Sequence, residues 1–303
     1  MHAGVKEKHL ALFPVTLFDY GNVAVLFLLA ALTVYPFIHI VAVSLSDAAG
    51  IASGAVALYP SGVNIDAYRF VFSDEGMVRA YYNSLRYAAI GTVIFVVATS
   101  IVAYPLAVRG FWLNRGVMIF HVIPMFFSGG LVPMYLVYRS LGMIDTMWVM
   151  VLPGAIAVFT TVVFRTYFLG LGSELREAAH IDGANDLYIL FRIYLPLSKP
   201  VVAFGALFQI VLIWNDFFRP LLFMNDEDLQ PLTLFLRRLL VEVDVQSLRE
   251  QMERSIMERE RQEPVPVQAF QAASIIVSIV PIICIYPFIQ RYFVKGALVG
   301  SLK

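Results

Sequence analysis

Apolar residues gather into long runs separated by polar stretches, and six runs reach the roughly 20 residues a spanning helix needs. They cover 22–45, 85–108, 117–138, 147–169, 201–223 and 270–290. Pro36, Gly129, Gly130, Pro153 and Pro281 fall inside them. Such breakers are tolerated in lipid when neighbouring helices or waters satisfy the freed backbone groups. Apolar runs of this length, with so few charges, argue against a large soluble helical bundle. The first run follows Lys6, Lys8 and His9 and exceeds the apolar core of about 7–15 residues of a signal peptide, so an uncleaved first span is expected.

Six spans put both ends on one side. With the N-terminus in the cytoplasm, the inner segments carry Lys6, Lys8, Arg109, Arg115, Arg165, Arg176, Arg192, Lys199, Arg291, Lys295 and Lys303, whereas the two short outer segments carry only Arg69, Arg79 and Arg139. That is the positive-inside bias. The outer stretch 225–267 argues the other way, with six Arg beside ten acids. The preferred orientation makes 1–21 a cytoplasmic segment, 22–303 a six-helix membrane domain, 170–200 a cytoplasmic loop and 225–267 an extracytoplasmic insertion.

Composition agrees. The 303 residues are 59% hydrophobic and 15% charged, against about 25% charged in soluble domains. Zero net charge leaves no nucleic-acid footprint. Cys284 is the single cysteine, so no internal disulfide forms, and His2, His9, His39, His121 and His180 lack metal-ligand spacing.

The polar loop "REAAHIDGANDLYILFRIYLPLSKP", residues 176–200, stands out in this apolar chain. Ser173 is placed to cap a helix whose first turn holds Glu174 and Glu177, where acids favour the helix dipole. Gly183 ends or bends it. A second helix is expected over 186–194, broken at Leu195-Pro196 because a residue before proline avoids helical geometry. Small Ala178, Ala179 and Gly183, rimmed by Glu177 and Asp182, suit docking into a partner's groove. An interfacial helix lying on lipid fits the pattern equally, although such helices usually carry basic and bulky apolar faces.

Glu177-Ala178-Ala179, Gly183, Ile193 and Leu195-Pro196 stand at the spacing of the EAA signature, and the chain thereby resembles permease subunits of ABC importers. "IDGA" at 181–184, "WNDF" at 214–217 and the tail "YFVKGALVGSLK" at 292–303 extend the likeness to the carbohydrate-uptake (MalG-like) branch. "FFSGGLVP" at 126–133 and "YPFIQRYFVKG" at 286–296 resemble its LplC/YtcP type, linked to polysaccharide fragments and uronate-containing oligosaccharides. The resemblance implies an all-α membrane protein of the type I importer (MetI-like) fold, with six transmembrane helices and a cytoplasmic EAA coupling helix. It implies a bacterial inner-membrane location, a second homologous permease, two ATPase subunits that hold ATP and Mg, and an extracytoplasmic solute-binding protein. Glu177 becomes the charged contact to the ATPase, Gly183 the bend, and Ala178 and Ala179 the close seat, with Asp182, Leu195 and Pro196 completing the motif.

No Walker A loop is present; Gly296–Lys303 has the wrong spacing. Trp214, Asn215, Asp216 and Arg219 are ionisable or polar groups within a span. Asp216 and Arg219 share a helix face; they line a sugar path or form a structural pair. Ser128-Gly129-Gly130 permits close helix approach or breaks the third span. Val241, Val245, Leu248, Met252 and Ile256 form one apolar stripe, expected on an amphipathic outer helix that covers loop backbone, packs on the membrane domain or touches a solute-binding protein. A membrane-embedded enzyme would need clustered acids, His or a metal site, and an ion-coupled transporter acids near mid-membrane.

Overall fold

The computed structural model describes residues 17–127, 129–242 and 265–300. Lys6, Lys8, Ser128, Val245, Leu248, Met252, Ile256 and Lys303 lie outside the described residues. All regular structure among the described residues is helical, and the chain divides into two units.

One unit comprises residues 1–70 and 247–276. Its main element is Leu17–Ser44, apolar along its whole length, with Pro36 inside. His39 stacks on Tyr35 at 6.3 Å and bonds the Ala57 carbonyl at 2.9 Å, so it serves packing.

The other unit, residues 71–246 and 277–303, is built on Glu75–Ala107. Asp74 caps that helix by accepting from the Met77 amide, and Glu75 complements its dipole. Many of its inward positions are small or lightly polar, with Ala80, Asn83, Ser84, Ala88, Gly91, Thr92 and Ala103 buried between the larger Tyr87, Phe95 and Tyr104. That composition lets helices approach closely where lipid supplies no hydrophobic drive. Lys199–Trp214 and Val158–Leu169 pack against it. A methyl group on Gly205 would stand 2.7 Å from Phe164 Cε2, so these two helices touch backbone to ring.

Among the described residues, three helices are continuous and apolar enough to cross a membrane: Phe18–Ser44, Glu75–Ala107 and Val267–Phe288. The other three expected spans are interrupted. The run 117–138 splits into Asn114–Val122, a 3₁₀ turn at Ile123–Met125 with Pro124, and Leu131–Ser140 after Gly130 at φ 84°. The run 147–169 splits at Pro153 into Trp148–Val151 and Val158–Leu169. The run 201–223 splits at 215–217 into Lys199–Trp214 and Phe218–Phe223.

Polar side chains of neighbouring segments satisfy these breaks, as a low-dielectric setting requires. Gln209 Nε2 donates to the Gly154 carbonyl at 3.2 Å. Arg219 Nη1 donates to the Met150 carbonyl at 3.0 Å. Asp216 Oδ1 accepts from the Arg219 amide at 3.1 Å and restarts the chain as Phe218–Phe223.

Beyond Glu242, the amphipathic helix expected along the 241–256 stripe lies outside the described residues, which take in only the flanks of 225–267. The first flank is a 3₁₀ turn at Glu227–Leu229, a short helix Leu232–Arg237 and a wide turn Arg238–Glu242. The loop is bolted to Glu75–Ala107: Asn83 donates to the Asp228 and Gln230 carbonyls, Tyr87 to the Leu229 carbonyl, and the Leu232 amide to Ser84.

Candidate functional site

The polar loop 170–200 folds as two helices joined at a sharp stop. Glu174–Ile181 starts at Ser173, whose side chain makes no capping bond. Its C-terminus is closed by a Schellman arrangement: the Ala184 amide reaches the Ala179 carbonyl at 2.9 Å and the Gly183 amide the His180 carbonyl at 3.0 Å. Gly183 sits at φ 84°, a left-handed conformation that costs any residue with a Cβ about 1–2 kcal/mol.

Asn185 caps the second helix by accepting from the Tyr188 amide at 2.8 Å. That helix does not break at Leu195-Pro196. Leu195 keeps helical angles (φ −62°, ψ −45°) and the helix runs to Leu197. The π turn Ile189–Tyr194 just before it explains the difference. A widened turn moves the carbonyls away from the proline ring, which removes the clash that usually ends a helix. The stop comes at buried Ser198, where Asp186–Leu197 meets Lys199–Trp214 at 87°.

The loop is anchored through one face. Ala179, Ile189, Leu190 and Tyr194 are buried in a core with Ala103, Tyr104, Phe164, Phe168 and Val201. Ala179, 8% exposed, therefore spends its smallness inside the chain, and of the two alanines only Ala178 faces outward. Glu177, Asp182, Gly183 and Pro196 are also exposed, and Leu195 is half-buried. The exposed apolar residues of the unit include Ile181, at 86%, and Leu187 and Tyr188 on the second helix. The unit thus presents an apolar tip with a charged rim.

A polar clasp ties this unit to the spanning helix. Asp186 Oδ1 accepts from the Tyr104 hydroxyl at 2.9 Å, from Arg176 Nε at 3.1 Å and Nη2 at 3.0 Å, and lies 3.4 Å from His180 Nε2. Burial pushes the Asp186 carboxyl up, but the hydrogen bonds from Tyr104 and Arg176 outweigh it and hold it below the usual carboxylate value. The sequence offers no local sign of this clasp, because its members are 10 and 82 residues apart. Two hollows flank it, an open one of 300 Å³ between Pro105, Phe111 and Leu187 and one of 180 Å³ bordered by Arg109 and Glu177.

The 214–219 cluster is assembled differently. Trp214 is buried, donates to the Ser278 carbonyl at 3.3 Å and meets Tyr81 edge to face. Asp216 pairs with Arg219 at 3.3 Å and its carbonyl accepts from Thr233. Both are therefore committed to holding the break in their span. Asn215 is exposed and bonds the Val211 carbonyl, and Phe217 and Phe218 are exposed beside it.

Comparison with known proteins agrees with this architecture. Residues 95–298 match the family described as "Binding-protein-dependent transport system inner membrane component". The chain is 37% identical to Protein LplC of Bacillus subtilis (strain 168) over 287 residues, 94% of this chain and 95% of that one. It is 36% identical to the polygalacturonan/rhamnogalacturonan transport system permease protein YtcP of the same organism, over 95% and 98% of the two chains. Its structure superposes on a chain of a bacterial ABC transporter involved in the import of the acidic polysaccharide alginate with a TM-score of 0.84 at 29% identity, covering 91% of this chain and 96% of that one.

Proposed function

The chain belongs to the family of binding-protein-dependent transport system inner membrane components, and on that premise we propose that it is one membrane half of an ATP-driven importer of uronate-containing oligosaccharides. It is a permease subunit and performs no covalent chemistry. A second, related permease completes the pore, two ATPase subunits bind ATP and Mg, and an extracytoplasmic binding protein delivers the sugar. The chain crosses the bacterial inner membrane six times, three times as continuous helices and three times as broken ones, with both ends in the cytoplasm. The acidic cargo is suggested by the polygalacturonan and alginate named for its relatives.

The observation that carries the reading is the exposed tip at Ile181, clasped through Asp186 to Tyr104 of a spanning helix. A tip seated in a cleft of an ATPase moves when that subunit binds nucleotide. The clasp and the buried Ala179–Tyr194 face pass that motion to Glu75–Ala107 and Val158–Leu169. The spans then alternate between outward and inward access, each nucleotide state favouring one arrangement by its contacts. Glu177 and Asp182 supply the charged rim of the seat, Ala178 its close approach, and Gly183 the stop that leaves Ile181 at the apex. Asn215 faces the sugar path, and Trp214 and Asp216 shape it from behind.

The test is purification of the complex from native membranes in mild detergent, followed by uptake into vesicles. The wild type is expected to bring down an ATPase and to take up oligogalacturonides only with ATP. A chain that arrives without an ATPase and transports with an ion gradient alone is a secondary transporter, and the reading fails.

A further inference from the structure

We propose that Arg86 is a subsite for a uronate carboxylate of the transported oligosaccharide, an inference that rests on the importer reading above. Arg86 is the second residue of the apolar run 85–108, inside the Glu75–Ala107 helix. An ionisable group within a span is expensive and marks a substrate path or an ion partner.

Three arginines occupy such runs: Arg86, Arg165 and Arg219. Arg165 donates through Nε to the Leu106 carbonyl at 2.8 Å. Arg219 pairs with Asp216 and bonds the Met150 carbonyl. Arg86 is different. Its guanidinium lies 5.3 Å from the centroid of the Tyr87 ring, and its Nε is buried without a hydrogen-bond partner.

No carboxylate among the described residues forms an ion pair with Arg86. Of the acids of the neighbouring loop, Asp228 pairs with Arg79 and Glu227 with Arg238, while Asp226 Oδ1 accepts from the Asp228 amide. A half-buried cation that no carboxylate among the described residues neutralises is placed to receive an anion from outside.

Its position fits an entering ligand. One turn earlier, Asn83 and Ser84 fasten the 225–232 loop to this helix, and Tyr87 fastens the same loop. Arg86 therefore stands at the rim of a rigid collar, at the end of the helix that the proposed orientation puts outside. Tyr82, Leu85 and Val93 leave the adjoining helix face exposed. The planar guanidinium matches a carboxylate in two-point geometry. A neutral sugar gains nothing from this charge.

The experiment uses the complete transporter in vesicles, with Arg86→Gln and Arg86→Lys beside wild type. The probes are tri-galacturonate and its methyl ester, which removes the charges and keeps the sugar skeleton. Loss of one charge-assisted contact predicts a fall of about tenfold or more in tri-galacturonate uptake below saturation for Arg86→Gln. Methyl-ester uptake is expected to stay within about twofold of wild type, and Arg86→Lys to fall between. Equal loss of both probes makes Arg86 a structural group or a partner of the second permease and overturns the proposal. So does an unchanged uptake of both, or a wild type that accepts only the ester. An effect that appears only in vesicles containing phosphatidylglycerol assigns Arg86 to a lipid phosphate instead. A wild type without ATP-dependent uptake of any probe overturns the importer reading itself, and is distinguished by the missing ATPase.

Discussion

Removing the Asp186 carboxylate loosens the proposed coupling tip from the spanning helix, and the size of the effect can be worked from the clasp. All donors converge on one oxygen, Oδ1. The Tyr104 hydroxyl bond is charge-assisted, and Tyr104 is almost fully buried, so its loss costs about 1.5 kcal/mol, the lower end for such bonds. The Arg176 pair is worth less. The Asp186 side chain is 54% exposed and that of Arg176 27%, so solvent screens the pair to about 0.5 kcal/mol. Asp186→Ala should therefore cost about 2 kcal/mol, and Asp186→Asn about half of that, because Asn keeps a neutral acceptor for Tyr104. Tyr104→Phe should cost about 1 kcal/mol alone and almost nothing in the Asp186→Ala background, a coupling that a double-mutant cycle reads directly. The assays are thermal unfolding of the purified complex and ATPase activity with and without sugar-loaded binding protein. Asp186→Ala should still capture the ATPase but lose most of the sugar stimulation. Additive effects of Tyr104→Phe and Asp186→Ala, or full stimulation in Asp186→Ala, refute the clasp as a transmission element. The pH dependence has a fixed sign. A carboxyl held below its ordinary value stabilises above the unfolded pKa, about 3.9, and loses that stabilisation as pH falls through the lowered folded value. The Asp186 contribution should be flat from about pH 5 to 8, begin to fall near about pH 4 and be lost only below the lowered folded value.

Two packing predictions follow from the broken spans. Gly205→Ala places a methyl 2.7 Å from Phe164 Cε2 and 3.3 Å from Thr160 Cγ2, against a fully buried ring. It should lower stability by about 1–3 kcal/mol in detergent melts, and Phe164→Leu should restore part of it; a cost-free Gly205→Ala would mean the two helices do not pack this closely. Gln209→Leu leaves the Gly154 carbonyl without its partner at the Pro153 break. The expected cost is about 1–3 kcal/mol by the same measurement, and a neutral result would show that another donor reaches that carbonyl.

The architecture was largely legible in the sequence and the working parts only partly. Six apolar runs announced a membrane domain because length and charge depletion are robust signals. Pro153 and Gly130 announced that some spans would break, but not which partners would accept the freed groups. Gln209 and Arg219 do so from across the fold, a relation that periodicity along one segment does not carry. Gly183 and the helix stop were readable because the glycine is demanded by a local left-handed turn. Leu195-Pro196 misled, since the rule against helix before proline assumes a regular α turn and a π turn precedes it here. Asp216 and Arg219 were correctly seen to share a face, and the structure makes them a pair. Ala179 was readable as small but not as inward-facing. Arg86 does leave a signal in the sequence, a cation at the second position of an expected span.

The central claim is that the tip at Ile181 seats in an ATPase subunit and moves with nucleotide. The direct measurement is site-specific cross-linking from Ile181→Cys in a Cys284→Ser background, in the assembled complex, with Tyr59→Cys as an exposed control in the loop that the proposed orientation puts outside. The account predicts a cross-link from position 181 to the ATPase subunit, in a yield that changes between ATP-bound and nucleotide-free complex, and none from position 59. A position 181 that never reaches the ATPase, in a complex that still couples hydrolysis to uptake, would contradict it.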